Sequence, residues 1–448
     1  MKNDESLEQF RQWVKQRNPG EEEFLQAIDD VAGDVFSLYR EKSEWYDACV
    51  LPRLCEADRI ISFRVCWEDD NGDIHVNRGW RVQYCGAIGP YKGGIRFHPT
   101  VNESILKFLA FEQTFKNALT GLPIGGGKGG ADFDPRGRSD REIMRFCQAF
   151  MDELYRHIGE NTDVPAGDIN VGRREIGYMF GQYRRLANTF SGALTGKDIE
   201  FGGSHVRMEA TGYGLVYFLR CMLAKRDEEV DGQVIAISGA GNVALHAALK
   251  AGHLGATVVS LSSSKGALYC KNGIPQELIE EAMDHRAGST KLLTRMADAG
   301  GGEWHQGARP WHFPCDIALP CATQNELDGD DARALIENGV TLVAEGANMP
   351  CTAEAVEAFH KACVPHAPGK ASNAGGVALS GLEMAQNASF TRWDQERLNQ
   401  QLLEIMQDIH RQCIADVEGD DGYINYHRGA NLAAFRRVAS AVYAQGIG

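Results

Sequence analysis

No apolar run in this 448-residue chain is long enough to span a bilayer, which argues against a membrane protein. Basic residues are in deficit: 46 Lys and Arg face 61 Asp and Glu, a net charge of −15. That balance excludes nucleic acid and anionic membrane as main partners. The opening Met-Lys-Asn-Asp-Glu-Ser-Leu-Glu has no apolar core, so no secretory or transit peptide is expected and the compartment should be cytoplasmic. The twelve cysteines contain no CxxC pair and read as reduced thiols rather than a disulfide framework. Cys315 and Cys321, near His305 and His312, fit no common zinc spacing, so no metal is expected. No internal repeat or low-complexity segment stands out.

What is present is the composition of a soluble globular protein, 43% hydrophobic, with a length that suits two domains. The first fifty residues have helical amphipathic spacing, with Phe10, Trp13 and Val14, then Phe24, Ile28, Val31 and Phe36. Ile61, Phe63, Val65 and Trp67 alternate as one face of a strand, and Asp70-Asn71-Gly72 turns it into a second strand through Ile74 and Val76. A helix capped at Asn102 should run through Ile105, Leu109, Phe115 and Leu119 to Gly121. After residue 200 the rhythm becomes strand then helix. The β-prone runs are Val234–Ile237, Thr257–Leu261, Cys315–Leu319 and Thr341–Ala344, and they imply a parallel, doubly wound sheet. Leu432, Phe435, Val438 and Val442 mark a final amphipathic helix.

Residues 122–135 carry the sharpest chemical signal, because Lys128 stands between three glycines and two. Glycines allow positive φ and close approach of a ligand to the main chain. A lysine in such surroundings loses solvent, and its pKa falls towards that of a usable base. A phosphate loop is excluded: Gly129 stands where that motif needs Ser or Thr.

A second signal follows the strand Val234–Ile237. Gly239-Ala-Gly241-Asn242-Val243-Ala244 is G-x-G-x-x-A between a strand and a helix. The pattern fits a dinucleotide pyrophosphate at the helix N-terminus. At the end of the next strand, a carboxylate would hold the ribose 2′-hydroxyl of NAD. This chain has Ser262-Ser263-Ser264-Lys265 there, which favours the 2′-phosphate of NADP.

Several stretches together resemble the glutamate dehydrogenases, within the group that includes leucine, phenylalanine and valine dehydrogenases. They are Gly89–Pro99, Phe111–Lys116, the Lys128 loop, Asp163–Asp168, Arg207–Gly212, Ala344–Pro350 and Ser372–Gly376 leading to Ser380. In detail they look most like the small hexameric NADP-linked form. The resemblance implies an N-terminal α/β substrate and oligomerisation domain over residues 1–202 and a Rossmann-like NADP-binding domain over 203–424. The C-terminal helix, 425–448, would return to the first domain, with a catalytic cleft between the domains.

The family's roles map residue by residue. Lys92 and Ser380 would bind the side-chain carboxylate of glutamate; Gln113 and Lys116, which share a helical face, would bind the α-carboxylate. Gly167 would contribute backbone contacts. Lys128 would activate water or ammonia, and Asp168 would carry protons to and from the amino group. Arg207, Thr211, Asn242, Asn348 and Asn373 match positions near the nucleotide, alongside Gly239, Gly241, Val243, Ser262, Ser263 and Lys265. Asn170 and Met208 depart from the usual glycine and proline; Asn170 tolerates left-handed backbone and need not disturb Asp168.

The expected activity is oxidative deamination of L-glutamate to 2-oxoglutarate and ammonium with NADP, and its reverse, by a homohexamer. An amino-acid dehydrogenase for apolar side chains would leave Lys92 buried without a partner. A non-enzymatic nucleotide sensor would have no need of Lys128 and Asp168.

Overall fold

The alternation from Ile61 to Trp67 emerges as strand β1 (Arg59–Glu68), paired antiparallel with β2 (Ile74–Cys85) across the Asp70–Gly72 turn. The computed structural model describes residues 6–284, 290–415, 417 and 422–447. The chain forms two units. One comprises Met1–His205, Leu379–Gln395 and Asn431–Gly448; the other comprises Val206–Ala378 and Glu396–Ala430.

In the first unit β1 and β2 join β3 (Tyr91–Phe97), β4 (Gly125–Ala131) and β5 (Asp163–Gly167) in the order β1-β2-β4-β3-β5. β2 runs antiparallel to β4, while β3 runs parallel to both β4 and β5. Helix Glu103–Leu119 begins at Asn102, whose side chain accepts from the Ile105 N–H at 3.0 Å. Beneath the sheet, Phe97, Phe133, Phe146 and Phe150 pack around Trp67, with Phe133 stacked on Phe146 at 3.8 Å.

The glycine-bracketed lysine lies on strand β4 rather than in a loop. None of its neighbouring glycines, Gly125 to Gly130, has positive φ. They are glycines because other atoms occupy the space of a side chain. A Cβ on Gly126 would stand 1.9 Å from the Thr114 hydroxyl. On the other face, Gly127 and Gly129 make room for Arg81, which reaches from β2 over β4 and β3 to Asp163 on β5. Its Nε donates to one carboxylate oxygen at 2.8 Å and its Nη2 to the other at 2.5 Å. Both side chains are fully buried.

Residues Leu379–Gln395 correct the expected boundary, since they belong to the first unit and not to a continuous 203–424 block. Polar anchors explain why. Lys197 and Glu383 form a fully buried ion pair at 2.8 Å, and Asn387 and Gln386 donate to the Gly202 carbonyl and the Ser204 hydroxyl. Within the C-terminal helix Tyr426–Ala444, Arg437 donates to the carbonyls of Ala118, Gly121 and Leu122, satisfying the end of the Asn102-capped helix.

The second unit carries a seven-stranded sheet. Its strands are β6 (Val234–Ile237), β7 (Thr257–Ser263), β8 (Gly266–Tyr269), β9 (Glu303–Gln306), β10 (Ile317–Leu319), β11 (Leu342–Ala344) and β12 (His366–Ala367). The order is β12-β11-β10-β6-β7-β8-β9. β12 through β7 are parallel, as the strand–helix rhythm implies, and β8 and β9 extend the edge antiparallel. Among the described residues, no helix is long and apolar enough to cross a membrane.

Close main-chain approach in the first sheet yields a stability test. A Cβ on Gly93 would lie 1.6 Å from the Gly127 carbonyl oxygen, whereas one on Gly33, an exposed helix position, meets nothing within 4 Å. Gly93→Ala should cost more than about 3 kcal/mol, the upper end of overpacking, and sharply lower the thermal midpoint. Gly33→Ala should stabilise by about 0.5–1 kcal/mol. Equal melting of the two variants would show that β3 and β4 can separate at little cost.

Candidate active site

Three consecutive strands of the first sheet, β4, β3 and β5, bring Lys128, Arg96 and Asp168 together. Alternation along β4 places Lys128 on the same face as Gly126 and Gly130, the face covered by helix Glu103–Leu119. Its Nζ stands 3.3 Å from Asp168 Oδ1, just beyond the end of β5. Asp168 Oδ2 accepts from Arg96 Nε, on β3, at 2.7 Å. Burial pulls the Lys128 pKa down; Asp168 opposes this, while the charges of Arg96 and Arg81 push it further down. Burial alone would raise the Asp168 carboxyl, but Lys128 and Arg96 outweigh it and hold it well below the usual carboxylate range. The result is an amine biased towards its free-base form beside a carboxylate held ionised. Next to Asp168, Asn170 takes a left-handed φ of 59° and donates to the Phe97 carbonyl at 2.9 Å, so the departure from glycine is accommodated.

Lys92, expected at a distal carboxylate, lies on β3 and is 1% exposed. Its Nζ donates to the Thr195 hydroxyl at 2.7 Å. Thr195 is fixed in turn: its N–H donates to the Pro165 carbonyl, and the following Gly196 N–H donates to Glu383 Oε2 at 2.9 Å. Ser380 is buried one turn before Glu383 on helix Gly375–Ala388, so the Glu383 anchor brings its helix to the segment that holds Lys92.

Gln113 and Lys116 lie on the Asn102-capped helix. Gln113 donates to Asn117, and Asn117 donates to the carbonyls of Lys92 and Gly125, tying this helix to β3 and β4. Gly167 must be glycine because a Cβ would meet the Val171 carbonyl at 2.3 Å.

Arg96, Thr195 and Asn117 escaped the sequence reading. Arg96 carried a legible signal: it follows Lys92 by four residues on one strand and so shares its face. Thr195 carried none.

In the second unit the strand order reverses between β6 and β10, the switch point where doubly wound sheets bind ligands. The Gly239 turn leaves β6 with φ +81° and faces Ala322, beyond β10. Gly241 precedes helix Asn242–His253, no side chain caps that helix, and a Cβ on Gly241 would meet nothing within 4 Å. Free N–H groups facing open space suit a pyrophosphate. Val243 follows in the first turn. Asn242 donates to the Met208 carbonyl, next to Arg207. A Cβ on Gly376 would lie 2.5 Å from the Thr211 hydroxyl and 3.6 Å from Arg207 Nη1, so these residues share a corner of the unit.

Asn373 Nδ2 donates to the Gly346 and Ala347 carbonyls and to Asn348 Oδ1, while its buried Oδ1 has no partner. An orphaned buried acceptor fits a bound ligand that brings a donor. Ser262 has a structural task as well: its hydroxyl accepts from the Gly239 N–H at 2.8 Å and pins the glycine turn. Ser263 bonds Thr290 and the Lys265 N–H, and Lys265 is exposed.

Comparison with known proteins places this geometry. Residues 57–185 match the family model described as Glu/Leu/Phe/Val dehydrogenase, dimerisation domain, and residues 202–446 match that described as Glutamate/Leucine/Phenylalanine/Valine dehydrogenase. The chain is 53% identical to an NAD-specific glutamate dehydrogenase of Bacteroides fragilis, covering 99% of this chain and 100% of the relative. It is also 53% identical to an NADP-specific glutamate dehydrogenase of Salmonella typhimurium, over 99% of each chain. The crystal structure of Plasmodium falciparum glutamate dehydrogenase superposes with a TM-score of 0.95 at 47% identity, covering 99% of this chain and 95% of that one. With both units matched and the lysine–aspartate pair in place, the chain belongs to the Glu/Leu/Phe/Val dehydrogenase family.

Proposed function

We propose that the protein is an NADP-dependent glutamate dehydrogenase, catalysing L-glutamate + NADP⁺ + H₂O ⇌ 2-oxoglutarate + NH₄⁺ + NADPH + H⁺. The observation that carries this reading is Lys92, a buried ammonium on the strand next to the Lys128–Asp168 pair. A buried cation beside an acid–base pair suits a substrate with a second carboxylate and penalises an apolar side chain. Ser380 completes the distal subsite, and Gln113 and Lys116 hold the α-carboxylate.

NADP supplies the hydride acceptor or donor when bound; the chain's own residues move the protons. Lys128, as a free amine, takes a proton from the attacking water and returns it in the reverse direction. Asp168 carries the proton of the amino nitrogen. With Lys128 and Arg96 both against it Asp168 is a weak base, so one of those ion pairs must open for it to accept a proton.

Gly239, Gly241 and the first turn of the following helix hold the pyrophosphate, with Arg207, Thr211, Asn348 and Asn373 around the rest of the nucleotide. Relatives of equal identity are named for different nucleotides, so the NADP reading rests on the Ser263–Lys265 turn and its lack of a carboxylate. A homohexamer is the assembly that the resemblance implies, and the family's dimerisation domain supports self-association. The free state of all twelve cysteines fits a reducing cytoplasm.

Initial rates test the activity. 2-Oxoglutarate with ammonium and NADPH should be turned over far faster than 2-oxoisocaproate. Lys128→Ala should lower kcat by at least about 10²-fold while NADPH binding persists. A near-normal kcat in that variant would remove Lys128 from the chemistry.

The pH dependence tests the charge arrangement. Arg96 depresses the Lys128 pKa, so Arg96→Gln raises it and delays formation of the free amine. The ascending limb of kcat against pH should therefore move to higher pH. A limb that stays in place would mean that Lys128 is not the group titrating there.

Cofactor choice is tested at Lys265. NADPH should exceed NADH in kcat/KM, and Lys265→Glu should erode that preference by repelling the 2′-phosphate. Equal efficiency with both nucleotides in the unmodified protein would sink the NADP assignment.

A further inference from the structure

Just past the end of β11, the second unit buries a cluster of side chains that the proposed reaction does not use. Glu345 follows β11 directly, His366 lies on β12, and Cys351 bridges to Leu327. Their relative exposures are 4%, 5% and 7%, and one oxygen, one nitrogen and one sulfur lie within 4.8 Å of one another. We propose that Glu345, Cys351 and His366 form a buried binding site for a divalent ion of the zinc class.

The donor set selects the ion. Mixed sulfur, imidazole and carboxylate ligands suit zinc or cobalt and disfavour magnesium and calcium, which take oxygen. Bonds of about 2.0–2.3 Å in a tetrahedron separate ligand atoms by roughly 3.3–3.7 Å. The Glu345–His366 separation is already 3.1 Å, so the site forms by small side-chain movements.

The surroundings fix the Glu345 carboxylate and the plane of the His366 ring. The Gly369 N–H holds Glu345 Oε2 at 2.7 Å, leaving Oε1 to face His366 Nε2. Phe359 stacks on the His366 ring at 5.9 Å and 15°, which fixes its plane. In the empty site the His366 Nε2–H donates to Glu345 Oε1 at 3.1 Å, while His366 Nδ1 is buried without a hydrogen-bond partner. An ion that takes Glu345 Oε1 replaces this hydrogen bond, the ring proton moves to Nδ1, and the Nε2 lone pair binds the metal.

Burial, reinforced by the Glu345 charge, pushes the Cys351 thiol far up, and without an ion it stays protonated. Ion entry forms the metal–sulfur, metal–nitrogen and metal–oxygen bonds and releases the thiol proton to solvent.

The ligand spacing 345, 351 and 366 matches no familiar zinc pattern, which is why only the Cys315 and Cys321 region drew attention in the sequence. The Glu345 carbonyl accepts from Ser372, and the next two carbonyls hold Asn373. A bound ion would stiffen the loops that carry Asn348 and Asn373. That consequence rests on the nucleotide reading; binding of the ion does not.

The test uses the full chain, stripped of metal. Accessible thiols, Cys49, Cys66 and Cys363 among them, are first alkylated under native conditions, and mass spectrometry verifies that Cys351 remains free. Titration with Co²⁺ should give a thiolate-to-cobalt absorption band and tetrahedral visible bands saturating at about one equivalent. Cys351→Ser should abolish the thiolate band, and His366→Phe should weaken binding at least about tenfold. Zn²⁺ should raise the melting midpoint of the unmodified protein and not that of Cys351→Ser. Absence of the thiolate band from the alkylated native protein overturns the proposal, whether or not the variants fold. So does its persistence in Cys351→Ser.

Discussion

The ion pair between Arg81 and Asp163 organises the first unit. Arg81 spans four strands, with its guanidinium on Asp163 and the Gly93 carbonyl, and Gln83 adds a third donor to the same carboxylate. Removing one partner of such a buried pair leaves an uncompensated charge, at a cost of about 3–5 kcal/mol. The pair also dictates sequence at a distance. Arg81 can cross the sheet only where β4 has no side chains on that face, so the residues on either side of Lys128 are glycines. Its charge reaches through the sheet and helps to lower the pKa of the amine on the other face.

The two units divide the chemistry by kind. The first holds fixed charges at short range: Lys92, Lys128, Arg96 and Asp168, with Thr195 and Asn117 as neutral positioners. The second presents main-chain N–H groups and amides around an open turn at the reversal of strand order. Carboxylates and protons suit the first arrangement, and the pyrophosphate of a dinucleotide suits the second.

Much of this was legible in the sequence wherever local chemistry set the outcome. The β1 alternation, the Asn102 cap and the strand–turn–helix at Gly239 each follow from a few adjacent residues, and each is present in the structure. The Lys128 segment was read as a loop because glycine runs suggest backbone freedom. Here they answer to Arg81 and Thr114, which are distant in sequence and invisible to local rules. The same limitation hid Thr195 and the assignment of Leu379–Gln395. Both depend on hydrogen bonds between residues more than a hundred positions apart, 103 for Lys92 with Thr195 and 186 for Lys197 with Glu383. Ser262 shows a further task that the sequence did not reveal: its buried hydroxyl accepts from the Gly239 N–H and holds the glycine turn.

The Lys197–Glu383 pair has a consequence for how the chain is made. On the ribosome, Lys197 emerges early and must wait until the Val206–Ala378 segment of the second unit has been synthesised before its partner exists. The segment that fixes Thr195 against Lys92 is therefore left unfinished in every nascent chain shorter than about Glu383. Closing a loop of this length carries an entropic cost that grows only logarithmically, so the delay is kinetic rather than thermodynamic. A lone buried cation in an incomplete first unit is unfavourable, so folding of this unit is tied to synthesis of the long segment that separates Lys197 from Glu383. The surroundings of Lys92 thus mature only once most of the polypeptide has been translated.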